Sequence, residues 1–241
     1  MDPRESLERA RIAQFEGRYD DALREHLWFH ENALAVDPAL YGVRLSFALS
    51  DWAQLAQIYQ PALNALLQTR DMKRDALLHG TEVRALFHDL ASINQYLRQE
   101  RETYELFRHL DATTPTFAAD CAPFAIDVML EVGDFELAAK YLPAPEEILL
   151  NASDSLNEHV KRFRKKPTRR APVLKALTSI YLNGVRNCLE MLKGTKHHDL
   201  LDAAREMAVA LVEDRAIRAR VRSAIYGVPD KESYRDDRFA S

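Results

Sequence analysis

Gly17-Arg18-Tyr19-Asp20-Asp21-Ala22, and again Gly133-Asp134-Phe135-Glu136-Leu137-Ala138, is the pattern whose reading decides the fold. In each, a glycine stops one helix and an aromatic residue and an alanine open the next. Upstream of the first copy, Pro3 suits a first helical turn, and Leu7, Ala10, Arg11, Gln14 and Phe15 follow at helical spacing. Downstream, Tyr19 to Val36 carries Ala22, Leu23, Leu27, Phe29, Ala33 and Leu34 on one stripe and closes at Asp37-Pro38. The spacing predicts two antiparallel helices.

The same period continues along the chain. Leu40 to Leu49 forms a segment, Ser50-Asp51 offers an N-cap for Trp52 to Ile58, and Pro61 breaks the chain before Ala62 to Leu78. From Glu82, Leu86, Phe87, Leu90, Ile93, Tyr96 and Leu97 keep a 3.6-residue step, repeated by Tyr104, Phe107 and Leu110 before Pro115. Phe117 to Val132 and Asp134 to Leu142 make a further pair, and Pro143-Ala144-Pro145 marks a seam. Beyond it, helices are expected along Leu149 to Phe163, Val173 to Leu192 with Gly194 as a stop, Asp199 to Val212 and Ala216 to Tyr226. Residues 1–142 thus form an array of hairpins, 146–226 a helical extension packed on it, and 227–241 a mobile tail.

A short helical pair cannot bury its apolar face alone, so copies must stack. Three copies align: one around Gly17, one from Phe87 through Thr103 and Phe107 to Pro115 with its bend at Arg98, and one around Gly133. The step from the second to the third is close to the ~34 residues of a helical-pair repeat. Ala10, Ala22, Ala91 and Ala138 sit where helices approach closely, and Tyr19 and Phe135 fill the gap. This pattern resembles the tetratricopeptide repeat, whose second helix opens with Gly-x-Tyr-x-x-Ala and closes at a proline. It departs from the family in the extra turn before Pro38, in Thr103 at the packing alanine and in Ile126 at a small position.

The resemblance implies an all-α solenoid of stacked antiparallel hairpins with a C-terminal helical cap, and a protein or peptide partner held in the groove lined by the first helix of each repeat. The side chains it places there are Arg11, Gln14, His88, Ser92, Gln95 and Asp127. The lysine and asparagine clamp by which some members hold a peptide carboxylate is missing; Leu7/Arg11, His88/Ser92 and Pro123/Asp127 stand in its place. The implied role is a non-enzymatic scaffold. A last helix carrying Ile217, Val221 and Ile225 among arginines reads as a polar end-cap, so a monomer is expected over a homo-oligomer.

Composition supports helix: 7 glycines, 10 prolines and 47% apolar residues in 241, without the Val/Ile/Thr runs of a sheet. Cys121 and Cys188 fit no metal or redox spacing and read as small buried hydrophobes. The charged start, Asp2, Arg4, Glu5, Glu8 and Arg9, argues for a cytoplasmic protein, and no apolar run is long enough to span a membrane. Lys161, Arg162, Arg164, Lys165, Lys166, Arg169 and Arg170 concentrate positive charge in a chain of net charge −4. They are an alternative site, for nucleic acid or an acidic partner, although Phe163 alone interleaves them.

Signs of catalysis are sparse. No phosphate loop, nucleophile elbow or calcium loop occurs, and no catalytic residue, metal site or cofactor is expected. His26 and His30 share a helix face without a third ligand. His88-Asp89, and more weakly His197-His198-Asp199, resemble part of the ligand set of helical metal-dependent phosphohydrolases, which leaves a hydrolase around His88 and Asp89 as the remaining alternative.

Overall fold

The computed structural model describes residues 2–164 and 170–227, and every described element is helical. Its contacts divide the chain into two compact units, Met1–Val128 and Met129–Ser241. The division falls inside a short helix, not at Pro143-Ala144-Pro145. The reason is that Leu130 and Leu142 pack with Leu149, Leu156 and Val185 in the second unit's core, so the chain before the prolines already belongs to it. Everything from Val228 on, the expected tail, lies outside the described residues.

The first unit opens with α1 (Pro3–Phe15), capped by the Asp2 carboxylate, which accepts from the Arg4 amide at 2.8 Å. α2 (Tyr19–Val36) folds back on it, and Ala10, Ala22 and Ala33 are fully buried, which lets the two backbones close on one another. After a 3-10 turn at Pro38–Leu40 come α3 (Tyr41–Leu45), α4 (Phe47–Ile58) and α5 (Gln60–Leu78). Ser50 and Asp51 do not cap a helix as expected. They lie inside α4, because the break comes earlier, at Ser46, whose hydroxyl donates back to the Gly42 carbonyl at 2.7 Å. Then follow α6 (Arg84–Leu97), α7 (Glu100–Thr113) and α8 (Pro115–Cys121). The single helix expected over Phe117–Val132 is split by a 3-10 turn at Ala122–Phe124, since Pro123 removes an amide donor, and resumes as α9 (Ile126–Val132).

Packing in this unit repeats. α4 touches both α1 and α2, α6 touches both α4 and α5, and α8 touches both α6 and α7. α4, α6 and α8 thus each touch both helices that precede them as a pair, and Leu49, Trp52, Leu55, Leu66 and Ile93 share one core among α4, α5 and α6.

The bends at Gly17, Arg98 and Gly133 share one geometry. Their φ values are +76°, +56° and +82°, and each left-handed residue donates to the carbonyl three back while its successor donates to the carbonyl five before it. This is the doubly bonded helix ending of the Schellman type. Lys196, φ +62°, ends its helix the same way. In all four, the next residue is already the N-cap of the following helix, so one residue in the left-handed region turns the chain back.

The second unit holds α10 (Phe135–Tyr141), α11 (Pro145–Arg164), α12 (Arg170–Gly194), α13 (His198–Ala210) and α14 (Arg215–Tyr226). Leu149, Leu156, Tyr181, Val185, Leu192, Val209 and Val221 form its core. Neutral hydrogen bonds tie the helices together. Asn157 donates to the Leu211 carbonyl at 2.9 Å and accepts from the Glu213 amide at 3.0 Å, and the Tyr181 hydroxyl donates to the Ala208 carbonyl at 2.6 Å. Gly194 does more than stop a helix: a β-carbon there would come within 2.1 Å of the Phe135 ring. No described helix is long and apolar enough to cross a membrane.

Candidate functional site

A helix packed on two sides leaves a third stripe outward, and in the first unit these stripes are the natural place for recognition. On α1 Glu8, Arg11 and Phe15 are exposed along one stripe; on α4 the exposed Phe47, Gln54 and Ile58 share a stripe with the half-buried Asp51, spaced by four, three and four. Arg11 Nε donates to Asp51 Oδ2 at 2.8 Å and so joins the two stripes. Tyr96 on α6 reaches the Ser46 carbonyl at 3.0 Å, at the head of α4. Phe15 is 93% exposed, Phe47 67% and Ile58 59%. Large exposed apolar side chains beside a mutually neutralised Arg11–Asp51 pair are suited to the apolar stripe of another segment.

The six sequence-derived groove residues do not share one environment. Arg11, Gln95 and Asp127 are exposed, whereas Gln14 is half-buried and Ser92 is buried. His88 is held in place: its Nδ1 lies 2.9 Å from the Tyr41 hydroxyl and its ring stacks on Phe124 at 3.8 Å, which removes it from a free groove. Partial burial lowers its pKa. The repeat pattern passes over α4, although a helix is expected over Trp52 to Ile58, because Tyr59, in extended conformation, links α4 to α5 without a glycine. The spacing of Phe47, Asp51, Gln54 and Ile58 was the signal that could have found it.

A second constellation lies beneath the surface. Asp89, 96% buried as a side chain, accepts from Arg44 Nη2 and, at 2.7 Å, from Lys73 Nζ. Burial alone would raise the Asp89 pKa, but Lys73 and Arg44 outweigh it and hold the carboxyl below the usual range. His30 Nε2 stands 3.1 Å from Arg44 Nη1, and its ring meets the Trp52 ring edge-on at 5.7 Å. Burial, reinforced by Arg44 and Lys73, drives the His30 pKa down to about 3. The His26 ring lies parallel to that of Trp52 with centroids 6.5 Å apart, both its nitrogens buried without a hydrogen-bond partner, and desolvation lowers its pKa to about 4. The two histidines therefore face a tryptophan and stay neutral.

No family model, curated protein or solved structure matches this chain.

The remaining sequence candidates are dispersed. Asp89 is committed to two cations and His88 to Tyr41, so the pair does not converge on a common point for a metal; among the described residues no group of three or more His, Cys, Asp or Glu side chains does. His197, His198 and Asp199 are exposed at the start of α13. In the basic segment, Lys161 pairs with Glu213 at 2.8 Å and Arg162 with Glu158 at 2.9 Å. Lys165, Lys166 and Arg169, and the side chains of Arg164 and Arg170, lie outside the described residues. Cys121 and Cys188 are fully buried, and desolvation pushes their thiols up to about 12 and about 11. Neither is an available nucleophile at neutral pH.

Proposed function

We propose that this chain is a non-enzymatic scaffold that binds a protein or peptide partner along the outward stripes of α1, α4 and α6. The observation that carries this reading is the exposure of Phe15, Phe47 and Ile58 on two helices joined across their outward sides by the Arg11–Asp51 pair. Large aromatic side chains left in water cost roughly 1.5–3 kcal/mol each relative to burial, and they are the residues on which association energy concentrates. The occupant is a segment with its own apolar stripe, helical or extended.

The resemblance of the hairpins to tetratricopeptide repeats supports the same reading, since that family binds peptides on the first helix of each pair. In this reading α1, α4 and α6 take the part of those first helices. With the carboxylate clamp missing, the partner is gripped by apolar side chains and not by its chain end.

Capture from a native lysate with the wild-type chain and with Phe15→Asp plus Phe47→Asp tests this. Both positions are exposed, so the double variant is expected to keep wild-type helicity and melting while losing discrete partners. Retention of the same partners by a folded double variant would contradict the assignment of this face.

A further inference from the structure

Between α2, α3, α5 and α6 opens a cleft of about 440 Å3. Leu34, Met72, Ala76 and Leu86 line it as apolar wall, and Arg44 and Lys73 reach it from the buried charged centre. None of these residues belongs to the outward stripes of α1 or α4. Ligand cavities of this size, about 300–1,000 Å3, combine an apolar lining with a few placed polar groups.

The charge at the inner end is unbalanced. Arg44 and Lys73 are both cationic, Asp89 is the carboxylate that meets them, and His30 beside them is neutral. Arg44 additionally keeps a buried Nε–H without an acceptor. A buried positive charge without an equal partner costs stability unless something anionic accompanies it. Glu31, exposed on the rim, is the acid among the lining residues, Asp89 lying behind Arg44 and Lys73, and it would repel a second negative charge.

We propose that this cleft binds a monoanionic amphiphile, an apolar chain ending in a single carboxylate, with the carboxylate at Lys73 and Arg44 and the chain along Leu34, Met72, Ala76 and Leu86. At the inner end, where Arg44 and Lys73 meet Asp89 alone, one negative charge balances the set, whereas a phosphate or dicarboxylate would bring a second charge toward Asp89 and the rim carboxylate of Glu31. A cation is repelled by the same two side chains. The apolar wall demands a body that a small inorganic anion lacks.

Such a carboxylate comes either as a free acid or as the end of a peptide. Calorimetric titration of the full chain with hexanoate, hexanol, and N-acetyl-Ser-Leu-Leu carrying a free or amidated C-terminus separates these sources. At least one acid is expected to bind about tenfold tighter than its uncharged counterpart, the worth of one charge-assisted hydrogen bond. Preference for hexanoate assigns the free acid, and preference for the peptide assigns the chain end. Glu31→Gln is expected to tighten binding severalfold and Lys73→Gln to weaken it about tenfold. Lys73 also pairs with Asp89, so if Lys73→Gln fails to fold, the exposed Glu31→Gln decides alone. Equal affinity for acid and uncharged analogue, no binding of either acid at millimolar concentration, or indifference to Glu31→Gln would overturn the proposal.

Discussion

The two units solve the same problem, burying helical hairpins, with different chemistry inside. Among the described residues, the buried polar side chains of the second unit are Ser153, Asn157, Thr178 and the hydroxyl-bearing Tyr181, all of them neutral in the ordinary pH range. The first unit buries His26, His30, Arg44, Arg70 and Asp89. A core of neutral groups loses little when pH changes; a core of charges and neutral histidines is stable only while each group keeps its protonation state and partner. Charged centres of this kind are weak sources of stability, and their removal one side at a time is costly. The contrast places the functional hypotheses in the first unit, where both the exposed apolar stripes and the charged cleft lie. Both tryptophans, Trp28 and Trp52, also lie there, so fluorescence reports that unit while far-ultraviolet dichroism reports both.

The sharpest way to break the contrast is Asp89→Ala. It leaves Arg44 and Lys73 without their shared carboxylate, and about 3–5 kcal/mol of stability in the first unit should be lost. Tryptophan emission should shift at much lower denaturant while a helical signal persists. Loss below about 1 kcal/mol would mean that the centre is solvated.

Acid should separate the units next. An unfolded histidine takes up its proton near pH 6.5, but His26 does so only near pH 4 and His30 near pH 3 when folded. Unfolding therefore absorbs protons within that window: stability is full above pH 6.5 and falls as pH drops from 6.5 toward 4. His26 alone contributes on the order of 3 kcal/mol to this loss by pH 4. In the second unit His159 is half-buried and His197 and His198 are exposed. Acid titration should change tryptophan emission before most of the helical dichroism is lost, and His26→Leu should flatten the response.

Two smaller effects sharpen the second unit. Gly194→Ala should cost about 1–3 kcal/mol by forcing Phe135 aside, and Phe135→Ala should make the glycine replacement nearly neutral, since the colliding ring is gone. Asn157→Ala, which deprives the Leu211 carbonyl and Glu213 amide of their partner, should cost about 1–2 kcal/mol. Both are read from the cooperative loss of helicity in denaturant with tryptophan emission unmoved.

These cases also mark what the sequence made legible. Helix periods, and the bends at Gly17, Arg98 and Gly133, follow from local rules and were found where expected, since the stop and cap signals act within a few residues. The α4/α5 pair lacked the glycine signal and was not counted as a copy. Gly194 was understood as a helix end because nothing nearby announces Phe135, which is distant in sequence. The Arg44–Asp89 pair spans 45 residues, and no pattern links its members. His88-Asp89 looked like one chemical unit by adjacency, yet neighbouring helix positions point apart, and each side chain serves a different contact. Of the candidate site, Arg11, Gln95 and Asp127 combine the expected groove helices with exposure, whereas Gln14, His88 and Ser92 do not, because side-chain freedom depends on which neighbour covers each face.

Phe47 and Ile180 are nearly equally exposed, 67% and 68%, one on the proposed binding stripe and one in the second unit. Replacing each in turn by a photo-crosslinking phenylalanine analogue and irradiating in a native lysate compares the two surfaces at matched accessibility. The scaffold account requires a discrete crosslinked protein from position 47, abolished by Phe15→Asp, and only diffuse background from position 180. A discrete product from position 180 with none from 47 would contradict it.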